Sequence, residues 1–242
     1  MDVFLTSDGL AALATLAALE IVLGVDNLVF IAIVSARLPP AQQPLARKLG
    51  LAMALVTRVL LLLTLSWIIG LTQPLFHVLG YGVSGRALIL FVGGLFLIAK
   101  ATYEIYDKVE LAHEETRARA GRRSFMAVIA QIMLLDMVFS LDSVITAIGM
   151  VAEIAIMVVA IVVAMLVMLL AMERVSTFVE SHPSVKLLAL AFLILIGVIL
   201  VADAFGHHVP KGYIYFSMAF SLGVELLNLR YRSRRARRRR PA

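Results

Sequence analysis

The chain has 242 residues, of which 62% are hydrophobic, with a mean hydropathy of +0.97 and no cysteine. This composition excludes a soluble globular domain, where the apolar share is nearer half, and it excludes disulfides and thiolate metal sites. The net charge of +6 comes from the last thirteen residues, which hold eight arginines, and the rest of the chain is slightly acidic. An arginine cluster directly after a membrane helix is more typical of the cytoplasmic membrane face and anionic lipid than of nucleic-acid binding.

Seven apolar runs predict an all-α, polytopic membrane protein with seven transmembrane helices. In chain order, the runs cover residues 10–35, 49–71, 87–101, 125–150, 154–172, 185–202 and 213–229. All seven prolines lie between these runs or in the tail, as expected because proline ends helices. The first run follows acidic residues and is too long for a signal-peptide core, so we interpret it as a retained span.

The charges of the loops predict how the helices cross the membrane. Nineteen lysines and arginines fall in the tail or in loops on one side, and only Arg86 and Lys211 fall in loops on the other. Because positively charged loops stay in the cytoplasm, we expect the amino terminus outside and the carboxyl terminus inside. Residues 103–124 are then a cytoplasmic connector with a solvated helix, and residues 230–242 are a cytoplasmic tail.

Two acidic motifs interrupt the apolar runs. The first and fourth runs contain Glu20-Ile-Val-Leu-Gly-Val-Asp26-Asn27 and Asp136-Met-Val-Phe-Ser-Leu-Asp142-Ser143. A charge at bilayer depth costs several kcal/mol, so such groups face a partner, a cavity or an ion. The acids have the same spacing in both motifs, although the two runs enter the membrane from opposite sides. The motifs therefore predict two inverted three-helix repeats, residues 10–101 and 125–203, with a seventh helix at 213–229 added.

The spacing within each motif also predicts a local break in the helix. Residues seven apart share a helix face, whereas residues six apart diverge by about 120° on an unbroken helix. Glu20 therefore shares a face with Asn27, and Asp26 does not. We expect an unwound turn at Gly24, and another at Ser140, that would bring the second acid of each motif toward the first.

The two motifs together offer four carboxylates, an amide and a hydroxyl, an all-oxygen set that suits divalent cations such as Mn²⁺, Mg²⁺ or Ca²⁺. Zinc or copper would recruit histidine or cysteine, and all five histidines fall in loops. The predicted metal ligands are Glu20, Asp26, Asn27, Asp136, Asp142 and Ser143. Desolvated carboxylates also favour protons, so a proton could exchange for the metal.

Four further polar residues are candidates for a supporting role: Arg58, Gln131, Asp203 and Glu225. Arg58 lies inside the second run, where an arginine normally finds an acidic partner. A purely structural network of Arg58 with the motif acids is therefore the alternative to an ion site. One arginine cannot neutralise four acids, and this imbalance favours the ion site.

The two motifs resemble the TerC family of bacterial integral membrane proteins. The segments His182-Pro-Ser-Val-Lys186 and Val209-Pro-Lys-Gly-Tyr-Ile-Tyr215 resemble its short, YgdQ-like branch. The resemblance implies a seven-helix protein of the LysE-like transporter superfamily in the bacterial inner membrane. It also implies metal-ion efflux, notably of manganese, and places the family's acidic site on the six predicted ligands.

We therefore expect a secondary transporter that exports a divalent cation, most simply Mn²⁺, as substrate and holds no cofactor. The alternative is a non-transporting membrane scaffold involved in metal or envelope stress. We do not expect an enzyme, because no nucleophile, histidine base or nucleotide loop accompanies the acids. The expected partners are the lipid bilayer, the metal ion and protons, without nucleic acid, and the sequence is compatible with a homo-oligomer.

Overall fold

The computed structural model describes residues 6–64, 72–78, 81–110, 124–150 and 153–238. In these residues the chain forms seven α-helices and one β-hairpin. The helices are α1 (Ser7–Ser35), α2 (Gln43–Leu63), α3 (Gly85–Val109), α4 (Phe125–Met150), α5 (Ile154–Ser181), α6 (Pro183–Ala204) and α7 (Lys211–Arg238). Each of the seven predicted segments corresponds to one of these helices, which confirms the all-α class.

Four of the helices, α1, α3, α5 and α6, are long and apolar enough to cross a membrane in the described part of the chain. The described apolar stretch of α4, Phe125–Leu141, is shorter. Helix α2 carries Arg47, Lys48 and Arg58, and α7 ends in the arginine cluster, so their composition is less apolar. The protein is thus a multi-pass membrane protein.

Several helices have different ends from those predicted. Helix α2 ends at Leu63 with its cap at Thr64, and residues 65–71 of the predicted second span lie outside the described residues. Residues 103–109 continue α3 instead of starting a separate connector helix, and residues 111–123 of that connector lie outside the described residues. Helix α5 continues nine residues past the predicted end, to Ser181. The added turns of α3 and α5 carry acids that pair with arginines, as described below.

Local signals explain where the helices begin and turn. The Thr6 hydroxyl accepts a hydrogen bond from the Gly9 amide, and the Ser84 hydroxyl accepts one from the Ala87 amide, each at 3.1 Å. These caps satisfy amides that have no partner within the helix. Helix α6 starts at Pro183, directly after α5, and ends at Ala204; Gly206 follows the cap residue and has a positive φ of 80°, which suits glycine.

An antiparallel hairpin of β1 (Pro74–Val78) and β2 (Tyr81–Ser84) lies between α2 and α3. The sequence analysis predicts only a loop there. The ladder pairs Phe76 with Val83 and has one irregularity between Pro74 and Phe76. Proline at the start of a strand is tolerated because it has no amide to donate to the ladder.

Three helix pairs make most of the tertiary packing. The most extensive contacts are between α3 and α6 and between α1 and α5, followed by α2 with α4. At the crossing of α3 and α6, a Cβ on Gly94 would lie 2.6 Å from the Gly197 carbonyl oxygen, and a Cβ on Gly197 would lie 2.8 Å from that of Gly94. Only glycine allows two backbones to approach so closely.

Helix α7 is peripheral, since it packs mainly against α6 and leaves many large apolar side chains exposed. Phe216 and Phe220 are 72% and 64% exposed and stack on each other with their ring centroids 6.3 Å apart. Leu170 on α5 is 81% exposed. An apolar outer surface of this kind is stable in a lipid bilayer.

Candidate functional site

Arg58 of α2 lies at the centre of the bundle and joins the two acidic motifs. Its Nη1 is 2.5 Å from Glu20 Oε2 on α1, and its Nε and Nη2 are 3.2 and 3.1 Å from Asp136 Oδ1 on α4. The three residues are only 2% to 5% exposed. One guanidinium therefore binds the first acid of each motif in a buried environment.

Asn27 and Ser140 complete the hydrogen bonding of Asp136. Asn27 Nδ2 donates to Asp136 Oδ1 at 3.4 Å, and the Ser140 hydroxyl donates to Oδ2 at 3.1 Å. Asn27 is 8% exposed, and Ser140 is fully buried. Glu20 and Asn27, seven residues apart, thus both reach the network, which confirms the shared face predicted for them.

The charges in this network do not balance. Glu20 and Asp136 are two carboxylates, whereas Arg58 is the one cation bonded to them among the described residues. Moving charges out of water costs several kcal/mol for each ion, and a buried ion pair only partly offsets that cost. A buried network of this kind therefore contributes little net stability.

The prediction of unwound turns is wrong. Helix α1 is continuous through Gly24, and α4 is continuous through Ser140. A Cβ on Gly24 would lie 2.2 Å from Met168 Sδ, so this glycine allows α5 to pack against α1. Ser140 is helical and uses its hydroxyl on Asp136, four residues earlier. The small residues therefore serve packing and hydrogen bonding, which spacing within one helix does not reveal.

The structure places only part of the predicted ligand set. Glu20, Asn27 and Asp136 come together at Arg58, whereas the side chains of Asp26, Asp142 and Ser143 lie outside the described residues. Among the described side chains, no group of three or more histidines and acids lies close enough to hold a metal ion. Metal binding at the two motifs therefore stays a prediction.

A small cavity adjoins the network. It has a volume of about 10 Å³, which is at the lower limit for one water molecule. Its polar lining comes from Asn27 and Asp136, and two of its apolar neighbours are the flexible side chains Met165 and Met168. The site thus has little free volume in this conformation.

The other predicted supporting residues lie elsewhere. Asp203, at the end of α6, pairs with His208 at 3.1 Å and lines a cavity of about 520 Å³ beside the hairpin. Glu225 on the peripheral α7 accepts a hydrogen bond from Asn228 at 3.4 Å. Gln131 lies on α4, five residues before Asp136, and its side-chain nitrogen is buried with no hydrogen-bond partner among the described residues. Of the four supporting candidates, the described contacts tie Arg58 to the motif acids.

Two further arginine networks, which the sequence analysis did not predict, join helix ends. Arg37, just after α1, pairs with Glu104 and Asp107 of α3. Arg47 near the start of α2 bonds Ser35 at 3.0 Å and pairs with two acids of α5. These contacts place the ends of α1, α3 and α5 and the start of α2 on one side of the bundle, as the loop charges predict.

The acids that bind Arg47 are Glu173 and Glu180. They are seven residues apart and therefore share a face of α5. This spacing was the signal in the sequence that α5 extends to these acids. It could not identify their partner, because Arg47 on α2 is 126 residues away from Glu173 in the chain.

Comparison with known proteins gives a consistent result. The sequence matches the integral membrane protein TerC family over residues 5–240. It is 53% identical over 218 residues to UPF0053 inner membrane protein YgdQ of Escherichia coli strain K12, covering 90% of this chain and 91% of that one. A UPF0053 protein of Haemophilus influenzae is 50% identical over 221 residues, covering 91% and 93% of the two chains.

A longer relative shares the same region. UPF0053 inner membrane protein YoaE of Escherichia coli strain K12 is 49% identical over 218 residues, which are 90% of this chain and 42% of YoaE. No solved structure matches. The family match and the near-complete coverage of the first two relatives confirm the resemblance carried by the acidic motifs, and the chain belongs to the TerC family of integral membrane proteins.

Proposed function

We propose that this protein is a secondary transporter of the bacterial inner membrane that exports a divalent metal cation, with Mn²⁺ as the first candidate. The observation that carries the proposal is the burial of Glu20 and Asp136 at one guanidinium. An ion path requires acids from separate helices to meet away from bulk water, and these two acids do. The motifs hold two more acids, Asp26 and Asp142, so the local negative charge exceeds what Arg58 can offset.

The ligand chemistry supports a hard or borderline divalent ion. The motifs supply carboxylate, amide and hydroxyl oxygens, which suit Mn²⁺, Mg²⁺ and Ca²⁺. Among the described histidines, His182 and His208 lie at helix ends and contact neighbouring groups there. The choice of Mn²⁺ among these ions rests on the TerC resemblance.

The helix packing supports two inverted repeats, α1–α3 and α4–α6, with α7 added. A twofold axis relating the repeats would exchange α1 with α4, α2 with α5 and α3 with α6. It would convert the α1–α5 contact into the α4–α2 contact and leave the α3–α6 contact unchanged. These are the three most extensive helix pairs in the structure. Transporters with such repeats alternate access by moving one repeat against the other around a central site.

The orientation follows from the charges, and the outward direction of transport rests on the TerC resemblance. We assign the side that carries Arg37 and Arg47 to the cytoplasm, together with the arginine-rich tail, and the amino terminus to the outside. The relatives named inner membrane proteins support the inner membrane as the location. Counter-transport of protons would supply the driving force, since carboxylates can exchange a metal ion for protons.

One observation favours the second candidate, a non-transporting scaffold. Arg58 binds both Glu20 and Asp136, as expected if these acids only hold α1, α2 and α4 together. In that case the acids contribute only to stability, and replacing them with the neutral amides Gln and Asn would lower stability without removing any other activity.

The test is Mn²⁺ flux into liposomes that contain the purified protein, with and without a pH gradient. We expect flux from the wild type and loss of flux in Asp136→Asn, Asp26→Asn and Asp142→Asn. Glu153→Gln is the matched control, because Glu153 is an exposed acid just before α5 and should keep full flux. Absence of wild-type flux above protein-free liposomes, or full flux in Asp136→Asn, would contradict the proposal. Stable partners recovered in pull-downs would then favour the scaffold.

A further inference from the structure

Arg58 occupies the position that a cation between the two motifs would take. Its guanidinium lies between acids of α1 and α4 and contacts Glu20 Oε2 and Asp136 Oδ1. We propose that Arg58 is a tethered counter-cation, which holds the acidic site when no ion is bound and is displaced when a divalent cation binds. This inference rests on the transport function proposed above and assigns Arg58 a role in selectivity and turnover.

The hydrogen bonds at Asp136 already occupy the oxygen that a metal ion would use. Its Oδ1 accepts from Arg58 Nε, from Arg58 Nη2 and from Asn27 Nδ2, at 3.1 to 3.4 Å. A carboxylate oxygen has two lone pairs, so three donors leave no lone pair on this oxygen for a metal ion. Oδ2 already accepts from Ser140. A metal can therefore use Oδ1 only after Arg58 has moved.

Electrostatic repulsion also acts at this site. A divalent ion bound by carboxylate oxygens lies about 2.0 to 2.6 Å from them. Arg58 Nη1 lies 2.5 Å from Glu20 Oε2, so the ion and the guanidinium would be direct neighbours on the same oxygen. Two positive charges that contact the same carboxylate oxygen repel each other strongly in a buried site. The ion and Arg58 therefore compete for the two acids.

Space at the site is also limited. The cavity beside Asn27 and Asp136 has only about 10 Å³, at the lower limit for one water molecule, so it cannot hold an ion together with ligand waters. Room must come from movement of a side chain, and displacement of the guanidinium supplies both the space and the free oxygens. The flexible side chains of Met165 and Met168 border the same cavity and can adapt to the change.

The competition has two consequences for transport. When the ion leaves, Arg58 returns to its contacts with Glu20 and Asp136 and competes with the ion for rebinding, which favours release. Displacing Arg58 costs the same for any ion, whereas the attraction of the acids grows with the charge of the ion. The cost lowers the affinity for every ion by the same factor, so Na⁺ and K⁺, which the acids attract less strongly, are kept off the site while a divalent ion can still bind.

The experiment compares Mn²⁺ binding to purified wild type, Arg58→Gln and Arg58→Lys in detergent, each with and without excess Na⁺. We expect Arg58→Gln to bind Mn²⁺ about tenfold more tightly than the wild type, a typical magnitude for two coupled sites. Na⁺ should compete with Mn²⁺ in this variant more than in the wild type. Arg58→Lys keeps the charge and should stay within about threefold of the wild type, which is small beside typical coupling.

Thermal unfolding with and without Mn²⁺ gives a second readout. Arg58→Gln should be stabilised by Mn²⁺ more than the wild type, because the ion replaces the missing cation. Arg47→Gln is the matched control, since it removes a buried arginine from a different network and should leave Mn²⁺ binding unchanged. If Arg58→Gln cannot be recovered folded, the presence of Mn²⁺ during purification should restore it.

Equal or weaker Mn²⁺ binding in Arg58→Gln, with a wild type that binds and transports Mn²⁺, would overturn this inference alone. Failure of Mn²⁺ during purification to restore an unfolded Arg58→Gln would also overturn it. A wild type that neither binds nor transports Mn²⁺ would overturn the proposed function as well. Mn²⁺ binding to Arg58→Lys as tight as that expected for Arg58→Gln would show that charge is not the determinant, and would contradict the tethered counter-cation.

Discussion

The Arg58 network at the centre of the bundle and the Arg47 network at the helix ends use the same chemistry in different surroundings. At the centre, the side chains of Glu20 and Asp136 are 4% and 5% exposed. At the helix ends, the side chains of Glu173 and Glu180, which pair with Arg47, are 52% and 36% exposed. Water screens these two acids, so their pairs with Arg47 add little stability and can form and break easily.

The central network is different because its three charged side chains are buried away from bulk water. Removing one member of a buried pair leaves an unpaired charge, which destabilises proteins strongly, whereas apolar replacement of the whole group is often harmless. A protein that needed only stability would do better with apolar residues at Glu20, Arg58 and Asp136. The comparison is therefore consistent with structural pairing by Arg47 at the helix ends and with the role proposed above for the centre.

The largest expected effect is on Arg58→Ala. We expect the free energy of unfolding to fall by about 3–5 kcal/mol, because Glu20 and Asp136 lose their buried counter-charge. Thermal unfolding in detergent without added metal measures this loss.

The control for that prediction replaces the whole central group, as Arg58→Met with Glu20→Gln and Asp136→Asn. This combined variant should recover most of the lost stability, since no charge is left unpaired, and should transport no Mn²⁺. If it proved as unstable as Arg58→Ala, the central network would be structural and the contrast with the helix ends would disappear.

An intermediate effect is expected for Ser140→Ala. The buried hydroxyl donates to Asp136 Oδ2 at 3.1 Å, and hydrogen bonds to charged groups contribute about 1.5–3 kcal/mol. Chemical unfolding of this variant should show a loss in that range. Ser217→Ala on α7 is the comparison, because that hydroxyl is exposed and bonds only a carbonyl of its own helix. An equal loss of stability in the two variants would contradict the prediction that the hydrogen bond to the Asp136 carboxylate is stronger than one to a backbone carbonyl.

The smallest effect is expected for Glu180→Gln at the helix ends. Arg47 keeps Glu173 as a partner, so the free energy of unfolding should change by about 0–1 kcal/mol. The difference from the wild type should shrink further at high salt, because ions screen exposed pairs. A loss as large as that of Arg58→Ala would show that the two regions do not differ in kind.

The positions of the helices, and the helix face on which the motif residues lie, were predictable because they depend on local properties. Apolar runs long enough for a bilayer and proline placement located the seven helices of the described residues, and the shared face of Glu20 and Asn27 followed from helical periodicity. The need of Arg58 for an acidic partner followed from the cost of a lone charge in the membrane.

Three features were not predictable from local properties. The sequence could not show that Glu20 and Asp136, one from each motif, would share Arg58, because that depends on how α2 lies against α1 and α4. It also could not show that Gly24 receives Met168 from α5 instead of breaking α1. The extension of α5 to Ser181 likewise depends on a distant contact, since its acids Glu173 and Glu180 pair with Arg47 of α2.

The sequence by itself determined a multi-pass helical membrane protein with two acidic motifs and one intramembrane arginine, because hydrophobicity and charge act at the level of single segments. Only the tertiary structure decided that this arginine stands between the motifs and that the helices run unbroken through them. The physical reason is that pairing and close packing are set by side chains from different helices, which meet only after the bundle has formed.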